Sequence, residues 1–136
     1  MKTGIAILVV SENSLALART IAGDLPGSNL YSSFESAATH PIPSIATFIK
    51  EHFNRFEAFV FIGSLGICVR TIAPYVMDKH TDPAIVNVDS TGKYVVSVLS
   101  GHIGGANSLT RQIARITGGQ AIITTQSDNT DLWALD

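Results

Sequence analysis

A single cysteine, Cys68, rules out any disulfide within this chain, so no cross-linked scaffold holds it together. The same scarcity fits a reducing compartment, and the cytoplasm is the expected location. Basic residues are also few: nine Lys and Arg stand against eleven Asp and Glu, for a formal net charge of −2. Without a basic stripe, nucleic acid is not an expected partner. Charged residues make up only 15% of the chain and hydrophobic ones 46%, which excludes a disordered, solvating polymer. Long apolar runs are missing too. The run at residues 5–10 is far shorter than the roughly 20 residues a bilayer span needs, and too short for a signal core, so no membrane is expected. No repeat and no low-complexity segment appears.

What remains suits one compact domain. The chain has 136 residues, and a chain near that size buries roughly two-thirds of the surface its unfolded form exposes. Residues 4–10 form an aliphatic run that reads as a buried strand. In residues 11–25, Leu15, Ala18, Ala22 and Leu25 recur at helical spacing until Pro26 and Gly27 stop them. A short strand is expected at 30–33. Ser44 caps a second helix that carries Ile45, Phe48, Ile49, Phe53 and Phe56 on one face. Residues 58–62 form another buried strand, 63–66 a tight turn, and 67–73 a short helix ended by Pro74. Strands at 84–88 and 94–99 flank a hairpin loop in which Gly92 supplies a positive φ. Ala106, Leu109, Ile113 and Ile116 mark a helix closed by Gly118 and Gly119, and 121–125 is a last strand.

Strands and helices alternate, so the fold class is α/β: a single domain with a mixed, mostly parallel sheet, helices on both faces, and one β-hairpin near 84–99. The sequence ends on Thr130 or Asp131 as a helix cap with Leu132, Trp133 and Leu135 behind it. We expect residues 1–136 to be the N-terminal domain of a longer protein, with a linker from about 129; a natural tail is the alternative. Trp133 is then an interface residue or part of the core.

Two glycine-rich turns each lie between a strand end and a helix start. One is GSLG, with Gly63, Ser64 and Gly66; the other is SGHIGGAN, with Ser100, Gly101, His102, Gly104, Gly105 and Asn107. Helix starts offer unpaired N–H groups and a positive dipole end, and ligands of open α/β sheets sit outside strand carboxyl ends. Both turns are therefore expected to cradle a carboxylate, a phosphate or a developing oxyanion. The plainer alternative is that the glycines only permit tight turns and close packing. The nucleotide signatures fail: Val9-Val10-Ser11 stands where a dinucleotide fingerprint needs glycines, and Asn87 and Tyr94 stand where a Walker A loop needs Gly and Ser or Thr.

Individual side chains sort as follows. His102 is the candidate acid–base group, or else a loop histidine bonded to backbone. His52 reads as a packing residue; His40 and His80 read as surface loop residues. Arg70 either holds a ligand carboxylate or pairs with an acid such as Asp82, and Asp82 itself reads as a turn former. Asp128 is placed along the same edge as the turns. Cys68 reads as a buried small residue. Arg111 and Arg115, one helical turn apart, read as solvated surface. No histidine pair or cysteine cluster has metal-ligand spacing, so no protein metal site is expected.

Three stretches together resemble a known family: GSLGICVRTIAP at 63–74, KHTDPAIVNVD at 79–89 and LSGHIGGAN at 99–107, with ITTQSD at 123–128. They are similar to the N-terminal domain of the CbiG family, the cobalt-precorrin-5A hydrolases of cobalamin biosynthesis. The resemblance is strong from about Phe59 onward and weak before it. It implies a hydrolase that opens the δ-lactone of a cobalt-corrinoid precursor with water and releases acetaldehyde. It implies no cofactor of the protein's own, because cobalt travels inside the substrate. The implied partners are the corrinoid intermediate and a C-terminal domain of the same protein, with a homo-oligomer open. On that implied chemistry, His102 is the expected base. N–H groups around Gly104 and Gly105, or 64–66, form the oxyanion site, and Arg70 holds an acetate or propionate. Ser100 or Asn107 orients His102 or the lactone. Two rival readings stand beside it: a non-catalytic corrinoid-binding module, and a flavodoxin-like binder of a phosphorylated ligand.

Overall fold

The computed structural model describes residues 2–101 and 103–124. The aliphatic runs become strands buried on both faces: β1 (Ile5–Val9), β4 (Ala58–Ile62) and β5 (Ala84–Val88). Between them come β2 (Ser28–Ser32) and β3 (His40–Pro41), and after them β6 (Tyr94–Leu99) and β7 (Gln120–Ile122). The helices are α1 (Leu15–Gly23), α2 (Ile45–His52), α3 (Leu65–Ile72) and α4 (Ala106–Thr117). Short 3-10 turns at Glu12–Ser14 and Ala73–Tyr75 lead into α1 and out of α3.

The strands form one seven-stranded sheet in the order β3-β2-β1-β4-β5-β6-β7. Every neighbouring pair is parallel except β5 and β6, the two arms of the expected hairpin. The helices divide between the faces. Ala18 and Ile21 of α1 pack with Leu109 and Ile113 of α4 on one side of the sheet. Phe48 and Ile49 of α2 pack with Cys68 and Ile72 of α3 on the other. The expected α/β class, with a mixed sheet and helices on both faces, is what the structure has.

Several boundaries differ for local reasons. The segment expected as one helix from residue 11 opens as a 3-10 turn, because Ser11 closes on the Asn13 N–H at 3.3 Å before α1 begins. α3 begins at Leu65, so Gly66 lies inside the helix and not in the turn. β3 escaped notice: two residues at a sheet edge carry no periodicity. The last strand is Gln120–Ile122, shorter than expected. Thr125, Asp128, the cap at Thr130 or Asp131, Trp133 and the linker near 129 lie outside the described residues.

The hairpin turn is built as expected. Gly92 has φ 78, and Asp89 Oδ1 accepts the Tyr94 N–H at 2.8 Å. Behind it Gly119 lies so close to the Gly92 and Lys93 carbonyls that a side chain there would meet backbone. That close approach seats the end of α4 against the turn.

Candidate functional site

Strand direction decides where each turn lies. β4 is parallel to β1 and β5, so Gly63 and Ser64 emerge at the carboxyl edge of the sheet. β6 runs the other way, with Ile85 opposite Leu99 and Val88 opposite Val95. Ser100 and the rest of SGHIGGAN therefore leave at the amino edge of β1, β4 and β5. Five residues of β5 separate the two turns, roughly 17 Å at about 3.3 Å per residue. The expectation of one shared cradle is corrected: the hairpin reverses the chain, and the two turns serve opposite edges.

At the carboxyl edge, β1 and β4 are neighbours while the chain leaves them toward opposite sides of the sheet. That is a topological switch point, where open α/β sheets form their ligand crevice. Ser64 caps α3 and accepts the Ile67 N–H at 3.4 Å. Gly66 and Arg70 are exposed on α3. Beneath the turn lies Asn87, only 3% exposed. Its Nδ2 donates to the Gly63 carbonyl at 3.2 Å, and its Oδ1 is buried without a partner. Sequence reasoning passed over Asn87, although one amide inside the aliphatic stretch AIVNV was a visible signal.

The amino edge is more tightly built. Ser100 is fully buried with φ 62, a left-handed conformation that a serine adopts only under constraint. Its Oγ donates to the Asp82 carbonyl at 3.3 Å, and its own carbonyl accepts the Ala106 N–H at 3.1 Å. The Gly101 carbonyl accepts the Asn107 N–H at 3.0 Å. The first N–H groups of α4 are thus taken up by the loop itself, and Gly105 caps the helix with φ 86 and no side chain. Gly104 sits against Ser100, where an added Cβ would come within 2.5 Å of Ser100 Cβ. Asn107 is buried and accepts the Ser97 hydroxyl at 2.7 Å. That bond ties α4 to β6, so the amide works as a fastening of the loop. His102 lies outside the described residues; its neighbours Gly101 and Ile103 are at this edge.

Next to the loop opens a cleft of about 480 Å³ lined by Lys2, Glu57, His80, Thr81, Asp82 and Gly104. Lys2 Nζ donates to the Thr81 carbonyl. The Asp82 carboxylate is buried and accepts the Met77 and Asp78 N–H groups at 2.8 and 3.1 Å. Asp82 is therefore the turn former expected, and its carboxylate holds its own loop, not Arg70. Lys2, Glu57 and His80 were not anticipated at any site. No sequence signal could have joined them, since they meet only across the sheet edge.

The other titratable groups follow their surroundings. Burial pushes the Cys68 thiol up to about 12, so it stays protonated and inert at neutral pH. His52 hydrogen-bonds the Phe48 carbonyl at 3.0 Å and stacks on the Phe48 ring at 4.5 Å, as a packing residue should. His40 is exposed, on edge strand β3 and beside Tyr31. Among the described residues no group of three or more His, Cys, Asp or Glu is arranged to hold a metal ion. No helix among them is long and apolar enough to cross a membrane.

Comparison with known proteins gives this geometry a context. A family model described as cobalamin synthesis G N-terminal matches residues 47–128. A cobalt-precorrin-5A hydrolase of Salmonella typhimurium is 40% identical over 135 residues, covering 97% of this chain and 38% of that protein. One from Priestia megaterium is 37% identical over 131 residues, covering 90% and 35%. A solved structure described as a cobalamin biosynthesis protein G homolog from Sulfolobus solfataricus superposes with a TM-score of 0.70 at 28% identity. That superposition covers 94% of this chain and 39% of that one. The similarity reaches further toward the N-terminus than the motifs alone suggest. The chain spans less than two-fifths of the length of the relatives it matches.

Proposed function

The chain belongs to the cobalamin synthesis G N-terminal family, and on that premise we propose that it is the amino-terminal part of a cobalt-precorrin-5A hydrolase. The reaction is hydrolytic opening of the δ-lactone of a cobalt-corrinoid precursor, with a two-carbon fragment released as acetaldehyde. The observation that carries this reading is 40% identity over 97% of the chain to a relative of that name.

Lactone hydrolysis needs a positioned water, a base and donors aimed at the tetrahedral oxyanion. The SGHIGGAN loop and the cleft beside it are our candidate for that centre. His102 is the base. The N–H groups of Gly104 and Gly105 serve the oxyanion, because those of Ala106 and Asn107 are already bonded to Ser100 and Gly101. Ser100, Gly101 and Asn107 hold the loop in shape. Lys2 gives the cleft a positive group, and His80 a ring nitrogen for hydrogen bonding, toward a carboxylate-rich macrocycle. Gly63, Ser64, Gly66 and Arg70, at the other edge, hold a peripheral acetate or propionate at the start of α3 or face the remainder of the enzyme. Cobalt enters with the substrate, and we assign the protein no cofactor of its own. The partners are the corrinoid and the C-terminal region carried by the relatives, and the compartment is the cytoplasm.

The test is a titration with the cobalt-corrinoid precursor followed by visible absorption, with acetaldehyde measured in parallel. General acid–base help is typically worth about 10²- to 10⁴-fold. His102→Ala in the complete enzyme should lower kcat by that amount while binding persists. Unchanged turnover in that variant removes His102 from the chemistry. Binding by this chain without any acetaldehyde makes it a substrate-holding module whose chemistry lies in the rest of the enzyme.

A further inference from the structure

α3 has the sequence LGICVRTI, apolar on every side, with Arg70 its only charge. A helix of that kind is normally enclosed. Here only Cys68 and Ile72 are buried, while Leu65, Ile67 and Val69 are between 42% and 48% exposed. Val76 and Met77, just past the helix, are exposed as well. The sheet beside α3 is also open. On the α1 and α4 face, β6 and β7 are covered by Leu109, Ile113 and their neighbours. On the α3 face, Tyr94 is exposed and Val96 and Val98 are half-buried, flanked in register by Gln120 and Ile122 of β7. Mostly parallel sheets are ordinarily covered on both sides.

We propose that the outer face of α3, with the open β6–β7 surface next to it, is where the C-terminal region of the same polypeptide docks. The inference rests on the reading of this chain as one part of a larger hydrolase. Two observations choose that occupant over a second copy. Each relative carries more than half of its length outside the matched segment. And α3 is only eight residues long, about 12 Å. So short an apolar strip falls well below the ~1,200 Å² of a stable free dimer. A covalently attached partner needs far less, because attachment supplies an effective concentration near millimolar. The docked surface must itself be largely apolar, with one acidic or carbonyl group for Arg70.

The experiment replaces the matched segment of the Salmonella typhimurium relative with this chain and compares amide exchange in the fusion and in the 136-residue chain. Exchange across residues 65–72 should slow at least tenfold in the fusion. Ile67→Glu with Val69→Lys should return it to the free rate, yet leave the melting temperature of the isolated chain within about 2 °C, as exposed substitutions do. Protection appearing elsewhere, or nowhere, overturns the proposal. So does an isolated chain that sediments as a dimer with α3 already protected, which would make the occupant a second copy. A fusion that protects α3 but releases no acetaldehyde from the corrinoid precursor keeps the interface and removes the hydrolase reading instead.

Discussion

Ser100 holds a left-handed backbone at φ 62, a conformation that costs an L-residue roughly 1–2 kcal/mol. Two hydrogen bonds fasten it, from its hydroxyl to the Asp82 carbonyl and from the Ala106 N–H to its own carbonyl, and the neighbouring Gly101 carbonyl accepts the Asn107 N–H. Gly104 closes the loop by lacking a side chain where Ser100 needs the room. Gly104→Ala should therefore destabilise the chain by about 1–3 kcal/mol, the usual cost of overpacking, measured by urea unfolding. A neutral result would mean the loop is loose enough to absorb a methyl group. Cys68 makes the opposite kind of prediction. Burial raises its pKa to about 12, so the native thiol should resist iodoacetamide at pH 8 and react only on unfolding. The sign for stability follows: the unfolded thiol ionises above about pH 8.5 while the folded one stays neutral. This contribution is complete below pH 8.5 and is lost as pH rises toward 12.

Two helices at element scale begin on a serine cap of different quality. At α2, Ser44 Oγ accepts the Thr47 N–H at 3.0 Å and also bonds Thr47 Oγ1 at 2.9 Å. At α3, Ser64 Oγ accepts the Ile67 N–H at a long 3.4 Å. Cap removal typically costs about 0.5–2 kcal/mol. Ser44→Ala should fall in the upper half of that range and Ser64→Ala at its lower end, by denaturant unfolding of the two variants. The reverse order would mean that the start of α3 is tighter than its geometry. A weak cap leaves N–H groups at the exposed start of α3 able to turn toward an incoming carboxylate. The hairpin is a second self-contained element. Burial would raise the Asp89 pKa, but hydrogen bonds from the Thr91 hydroxyl and from the Tyr94, Thr91 and Lys93 N–H groups outweigh it and lower it.

At the scale of the whole molecule, one reversal governs the sites. β6 turns back on β5 and takes the SGHIGGAN loop to the amino edge, while GSLG stays at the carboxyl edge. Groups about 17 Å apart without shared partners act independently. Ser64→Ala combined with Gly104→Ala should thus give a stability loss equal to the sum of the single losses within about 0.3–0.5 kcal/mol. Coupling beyond that would mean that the two edges communicate through β5.

The sequence alone determined what depends on near neighbours. The fully buried strands, the cap at Ser44, the positive φ at Gly92 and the start of α4 inside SGHIGGAN all follow from residues a few positions apart. The burial of Cys68 and the turn-forming role of Asp82 follow in the same way. Four ordered stretches also sufficed to point to the family. Only the tertiary structure decided which turns share an edge: the hairpin loop shows that β6 turns back on β5, but the parallel pairing of β4 with β5, which puts GSLG at the opposite edge, is a long-range choice that no local pattern records. Lys2, Glu57 and His80 lie up to 78 positions apart and meet Gly104 only because β1, β4 and β5 start side by side where β6 ends. Asn107 shows the same division: its place in SGHIGGAN marked it from sequence, and only the packing of α4 on β6 gives its amide oxygen the Ser97 hydroxyl as donor.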